Sequence, residues 1–305
     1  VDVSVSAVES FQRDQLDWYY EYVRGRVPRR PLAALEAGTS FHALMEAVFR
    51  GKDLSLAIVE SIDSVIERQI GMELDGYPAE ARDYRNTMDA IHSMAGDWKL
   101  NYPPDEVLAV EEPLTFNLGG GHRLIGRPDT IVRYQGKLWD LQHKTIGDRV
   151  PIGVYVTVMR RNLHGLAYSR LIQDSYPRDA YGGTYLNGLR KLSRMAFQKK
   201  PEAAFVQQLI PLMPKDEVDA IQDIRAIVQQ MQAIVDEKVK PIQNRKSDSG
   251  IYGNTFSPYF FVKLGEQDIA DDTIFKHAVN RYPTLMEAGH DEPGSSASTS
   301  AASPQ

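Results

Sequence analysis

Three side chains on one predicted hairpin could carry chemistry: Asp129, Gln142 and Lys144. The stretch LIGRPDTIVRYQGKLWDLQHKT (124–145) reads as two strand arms joined by the turn residues Gln135-Gly136. Asp129 belongs to the first arm. Gln142 and Lys144 are two apart on the second arm, so they share a face. A carboxylate, an amide oxygen and an ammonium thereby converge on one small volume. That set suits a divalent cation held beside an activated water.

The elements that must position these groups follow from periodicity and breakers. Residues 6–24 predict a helix striped by Phe11, Leu16, Tyr19, Tyr20 and Val23. Pro28 and Pro31 break the chain. A second helix is expected from Gly38-Thr39-Ser40 through FHALMEAVF to Phe49, ended by Gly51, and it carries His42. Two more helical patterns cover 54–72 and 79–99. After Pro103-Pro104, VLAVEEPLTFNL (107–118) alternates as a strand, and Gly119-Gly120-Gly121 turns it into the first arm of the hairpin. Three consecutive strands predict an antiparallel meander. A helix over 152–174 places His164 and Tyr168 four apart on one face. TYLNGLRKL (184–192) predicts a further strand, and 214–239 a long amphipathic helix opened by Pro214.

The expected fold is α/β, a mixed β-sheet with an antiparallel meander flanked by helices. One domain is expected over 1–288, with a helical part at 1–100 and the core at 105–195. The segment 289–305 is small and polar, cannot bury a core and is expected to be disordered.

Bulk properties narrow the classes. The 305 residues are 42% hydrophobic and 25% charged, an ordinary globular balance without a membrane-length apolar run. A net charge of −6 argues against a passive basic coat for nucleic acid. Local basic clusters nevertheless exist: Arg24, Arg26, Arg29 and Arg30; Arg160 and Arg161; Arg190, Lys191 and Arg194; Lys199 and Lys200. With no cysteine, disulfides, thiolate zinc, an iron–sulfur cluster and a cysteine nucleophile are excluded. The absence fits a reducing compartment.

Five ordered blocks, spread over residues 4–192, carry a family resemblance. They are SVSAVESFQRDQLDWYYEYVRGRVP, GTSFHALMEAVF, GRPDTIV, Gln142-His143-Lys144-Thr145 and HGLAY. The chain resembles the RecB-like branch of the PD-(D/E)xK nucleases. The resemblance implies that His42 is the metal-binding histidine of the Gly-x-x-x-His helix and Asp129 the acid of the Pro-Asp pair. It makes Lys144 the catalytic lysine of the acid-x-Lys-Thr signature. His164 and Tyr168 fall on a helix where the family has Gln-x-x-x-Tyr.

The implied chemistry is phosphodiester hydrolysis with Mg²⁺ or Mn²⁺ as Lewis acid and water activator. Mg²⁺ needs only one or two protein carboxylates, whereas a histidine nitrogen suits Mn²⁺ better. Lys144 would orient the attacking water or stabilise charge growing on the phosphate. Tyr168 and His164 could touch the scissile nucleotide or orient the lysine. Arg160, Arg161, Arg190 and Lys191 are the expected phosphate contacts. Glu111 is an outer-shell candidate for which structural use is expected, and His143 should face away from Gln142 and Lys144.

Two departures from the family matter. Position 142 should be acidic and is Gln, which can lend a carbonyl oxygen but no charge. Asp140, two residues back on the same face, could supply the charge. Alternatively the glutamine is a deliberate exchange for Glu, or the chain is a nuclease fold that binds without cutting. The second departure is the missing four-Cys cluster of several relatives; aromatic packing by Phe256, Tyr259, Phe260 and Phe261 in NTFSPYFFVKL (254–264) is expected in its place.

The resemblance implies a cytoplasmic DNA nuclease, an exonuclease rather than a sequence-specific endonuclease, since no base-reading module is visible. DNA is the expected partner, with a recombination or repair protein as a further one and no membrane. The alternatives are a degenerate DNA-binding fold, or an interaction subunit docking through the 214–239 helix.

Overall fold

Strand β1 (Asp2–Ser4) ends where its last residue starts a helix: the Ser4 hydroxyl accepts from the Ala7 N–H at 3.1 Å and caps α1 (Val5–Arg13). This is a computed structural model, and it describes residues 1–28, 33–192, 194–242, 269–270 and 275–277. Asp14, buried and extended, then closes α1 and caps α2 (Gln15–Trp18), accepting from the Leu16 and Asp17 N–H groups at 2.9 Å. A π-helical turn follows at Tyr19–Val23. The single helix expected over 6–24 is therefore broken, because the Asp14 side chain offers the backbone an alternative to helix.

After β2 (Arg26–Pro28) come α3 (Ala33–Phe49), α4 (Leu54–Leu74) and α5 (Pro78–Ala95). Asp53 caps α4 through the Leu56 N–H at 3.1 Å, and Pro78 opens α5 where its missing N–H costs nothing. Helix α3 begins five residues before the Gly38 expected from sequence.

The meander is present in space but not as three unbroken strands. Its first arm divides into β3 (Glu106–Val110) and β4 (Leu114–Gly119), its second into β5 (His122–Gly126) and β6 (Thr130–Tyr134); β7 (Lys137–Gly147) is continuous. β5 pairs with both β1 and β4 in a three-stranded sheet ordered β1-β5-β4. β3, β6 and β7 belong to a five-stranded sheet. A long hairpin thus bends midway and changes sheets, leaving Asp129 just ahead of β6 rather than within the arm. The β6–β7 turn is the one expected, with Gln135 and Gly136 at φ 51° and 71°.

Beyond β7, α6 (Ile152–Arg160) and α7 (Leu163–Ser175) lead to β8 (Tyr181–Lys191). The one helix expected over 152–174 is two, because Asn162 stops the first and caps the second through the His164 N–H at 2.9 Å. The crossover makes β8 parallel to β7, with Lys144 opposite Gly188. α8 (Arg194–Lys199), a 3₁₀ turn at Pro201–Ala204, β9 (Phe205–Pro211), α9 (Pro214–Val235) and β10 (Phe275–His277) complete the described elements. The large sheet reads β3-β6-β7-β8-β9, with only the β7–β8 pair parallel. The fold is mixed α/β, as expected.

Each sheet face is covered. On one, Ile131 and Leu138 pack with Phe11 and Trp18, with Leu166 and Leu171 of α7, and with Ile224 of α9. On the other, Leu189 joins Phe41, Met45, Met88 and Ile91 from α3 and α5. Each such side chain contributes about 1.5–3 kcal/mol on burial. Helix α9 buries its apolar face in this core through Ala220, Ile221, Ile224, Val228 and Met231, so that face is not free to dock a partner. Among the described residues, no helix is long and apolar enough to cross a membrane. Arg29, Arg30, the aromatic stretch 254–264 and the segment 289–305 lie outside the described residues.

Candidate functional site

The site forms at the bend of the long hairpin. Val110 pairs with Thr130 and Leu114 with Gly126, so 111–113 oppose 127–129 across the break. The Glu111 N–H donates to the Asp129 carbonyl at 3.1 Å and ties the two sides together. Glu111 takes φ 53°, a left-handed conformation unfavourable for a residue with a Cβ. Two carboxylates meet at this corner.

Helix α3 packs against β7 and brings His42 to the same corner, its Nδ1 3.4 Å from Asp129 Oδ1. Asp129 Oδ2 accepts from the backbone N–H of His143 at 2.7 Å. Ligand atoms of His42, Glu111 and Asp129 all lie within 4.8 Å of one another. Burial alone would raise the Asp129 carboxyl, but the hydrogen bond from His42 and the charge of Lys144 hold it well below the usual carboxylate range. Glu111 is instead pushed up to about 7, first by burial, then by the negative Asp129 and Glu46. One imidazole and two carboxylates, with like charge left unrelieved, fit a divalent cation. The nitrogen donor favours Mn²⁺ over Mg²⁺.

Gln142 and Lys144 project from one face of β7, together with Asp140. Asp140 and Gln142 are fully buried, and Gln142 Nε2 donates to Asp140 Oδ2 at 2.5 Å. Burial pushes Asp140 up to about 7; the Gln142 hydrogen bond and Lys144 act against the rise, Asp129 with it. Gln142 Oε1 and Asp140 Oδ1 are buried without a hydrogen-bond partner. Lys144 is half-buried, and its charge bears on Asp129, Asp140 and Glu9.

The ring of His143 faces the other way. It stacks on Phe49 at 5.4 Å, meets Asn187 Nδ2 at 2.9 Å through Nδ1, and is pushed down to about 3 by burial, which keeps it neutral. Its backbone N–H serves Asp129, and the edge of its ring packs on His42 with centroids 6.0 Å apart.

His164 and Tyr168 share a face of α7 with ring centroids 4.5 Å apart, edge to face. His164 Nδ1 lies 3.1 Å from Glu9 Oε2 on α1. A side-chain hydrogen bond to His164 lowers Glu9 against the cost of burial, and Lys144 helps. Glu9 therefore links the α7 pair to Lys144 electrostatically. Arg160 and Arg161 end α6, exposed; Arg190 and Lys191 stand opposite Ile146 and Gly147, just beyond Lys144, and Arg190 bonds the Asp148 carbonyl. Arg26, grouped by sequence with surface charge, is buried and bonds the Ile269 carbonyl at 2.9 Å.

Sequence reasoning undervalued Glu111 and did not single out Glu46 or Glu9. Glu46 was signalled by its spacing, one helical turn after His42, and it pairs with Arg50 at 3.0 Å. Glu111 opens the Glu111-Glu112-Pro113 interruption of the strand pattern, which marks a break but not the bend that carries the residue to the site.

A search of curated proteins finds no match. Among solved structures, the chain is similar to a candidate exonuclease from Eubacterium rectale, with 11% identity and a TM-score of 0.45, over 83% of this chain and 88% of that one. Residues 2–249 match the sequence model of the PD-(D/E)XK nuclease superfamily. With most of its length matched, this chain belongs to the PD-(D/E)XK nuclease superfamily.

Proposed function

We propose that the chain is a metal-dependent deoxyribonuclease of the RecB-like type that acts on DNA ends. The carrying observation is the cluster of His42, Glu111 and Asp129, with ligand atoms within 4.8 Å of one another, beside Lys144. His42, Glu111 and Asp129 would hold Mn²⁺ or Mg²⁺, with Gln142 completing the site. The bound ion supplies Lewis acidity and a lowered pKa for its water. Lys144 holds the attacking water or neutralises charge on the phosphate oxygens. Asp129 keeps its negative charge throughout, and the neutral His143 fixes it through the backbone N–H. Arg160, Arg161, Arg190 and Lys191 take the flanking phosphates.

A second reading, a fold that binds DNA without cutting, is favoured by the neutral amide at position 142. One experiment separates the two: linear and circular DNA incubated with Mn²⁺ and this chain, with Lys144→Ala as control. Degradation of linear DNA alone, lost in the control, supports an end-dependent nuclease. Cutting of circles would make it an endonuclease. DNA binding without any hydrolysis would leave the binding fold.

A further inference from the structure

The geometry points to Asp140 as a positioning residue that turns Gln142 into a metal ligand, the two side chains together replacing one carboxylate. This inference rests on reading the site as a metal centre. Ionised, a carboxylate only accepts hydrogen bonds, so the Gln142 amide then presents Nε2 to Asp140 Oδ2, the arrangement found at 2.5 Å. That fixes which end of the amide is oxygen. Nε2 also lies against α7, where a Cβ on Gly165 would stand 3.7 Å from it. Oε1 is thereby left on the other end of the amide, buried and without a hydrogen-bond partner.

A buried carbonyl oxygen without a donor is costly, about 1–3 kcal/mol, and calls for an explanation. With Asp129 near enough to Asp140 to act on it through charge, a cation held by Asp129 is the partner that would remove the cost. Asp140 itself is 0% exposed and precedes Gln142 by two residues on β7, opposite Thr184 of β8. It is therefore assigned the charge and Gln142 the oxygen. Hydrogen bonding of the amide NH₂ to a carboxylate polarises the group and makes Oε1 a better donor to a metal, as outer partners do for metal-bound histidines. Lys144, two residues on, feels both Asp129 and Asp140, which places the pair in the electrostatic neighbourhood of the cluster.

The test is Mn²⁺ binding by electron paramagnetic resonance titration, on the full chain and four variants. Asp140→Asn keeps the shape and a hydrogen bond to Gln142 but removes the charge; Mn²⁺ affinity should fall about tenfold or more, with the thermal midpoint little changed. Asp140→Asn combined with Gln142→Glu moves the charge to position 142 and reverses the hydrogen bond. That double variant should regain parental affinity or exceed it. Gln142→Leu, which removes the oxygen, should bind as weakly as Asp140→Asn. Parental affinity in Asp140→Asn, or a folded double variant no tighter than that single one, overturns the inference. Should Asp140→Asn not fold, the double variant decides alone. Asp129→Asn separates the two levels of the argument: if it also binds Mn²⁺ like the parent, the metal centre itself is wrong.

Discussion

A Cβ on Gly126 would stand 2.5 Å from Cε1 of Tyr168, so the ring occupies space that only a glycine leaves. Helix α7 rests directly on the last residue of β5 at this point, immediately before the bend that carries Asp129. Leu171 Cδ1 would be closer still, at 2.4 Å. Gly126→Ala should therefore cost about 1–3 kcal/mol through overpacking. The shift would also disturb the edge-to-face contact of Tyr168 with His164. Urea unfolding should show the loss of stability, and cleavage should fall more than DNA binding. An alanine variant as stable as the parent would mean that α7 can move away freely.

Glu111 offers the opposite kind of change. Its φ of 53° is a conformation that glycine adopts without strain. Glu111→Gly removes about 1–2 kcal/mol of backbone strain, offset by the entropy glycine loses on folding, of about 0.5–1 kcal/mol. Stability should hold or rise slightly while Mn²⁺ affinity drops. Calorimetric melting with a parallel Mn²⁺ titration checks both. If stability and affinity fall together, the carboxylate serves the fold and not the cation.

These two positions show what the sequence could and could not reveal. Asp129, Lys144 and His42 were legible because each sits in a local pattern: a Pro-Asp pair, a strand alternation and an apolar helix. The Gln135-Gly136 turn was legible for the same reason, since its backbone conformation is a local property. The bend was not. The run VLAVEEPLTFNL is interrupted at Glu111-Glu112-Pro113, where β3 ends and β4 begins, but that mark says only that the strand breaks and not that it changes sheets. That change is set by α7 packing at Gly126 and by the Glu111–Asp129 backbone hydrogen bond, both long-range. Glu9 stayed hidden likewise: its partner His164 is 155 residues away. The breaks at Asp14 and Asn162 were misread because their side chains act as caps, which override an otherwise helical periodicity.

The acids of the site predict how the metal-free protein responds to pH. Glu111 is raised from 4.5 to about 7 and Asp140 from 3.8 to about 7, in both cases chiefly by burial. An acid raised in the folded state binds its proton more tightly there than in the unfolded chain, so stability falls as pH climbs from the ordinary value through the raised one. Asp129 is depressed, and its contribution is present above 3.8 and lost only in stronger acid. The neutral His143, lowered from 6.5 to about 3, opposes this below pH 6.5, so in the presence of EDTA the thermal midpoint should decline between about pH 6.5 and pH 8. Glu111→Gln should flatten the decline in part, and Mn²⁺ should reverse it in the parent. A midpoint that rises over this interval would mean that other groups dominate.

Lys144 and Asp129 should separate chemistry from metal binding. Asp129 touches His42 at 3.4 Å and shares the corner with Glu111, so Asp129→Asn removes a charge that the cation needs. Lys144 supplies positive charge to the same corner but is no ligand. Lys144→Met removes that charge while leaving the carboxylates in place, so Mn²⁺ should bind as tightly as in the parent, or more tightly. Hydrolysis should fall about 10²–10³-fold, the usual loss when one group stabilising a charged transition state is removed. Asp129→Asn should lose both Mn²⁺ affinity and hydrolysis, and higher Mn²⁺ should recover part of the activity. Single-turnover cleavage measured across a Mn²⁺ series reads both effects at once. If Lys144→Met is rescued by raising Mn²⁺, the lysine acts through the metal and not on the water or the phosphate.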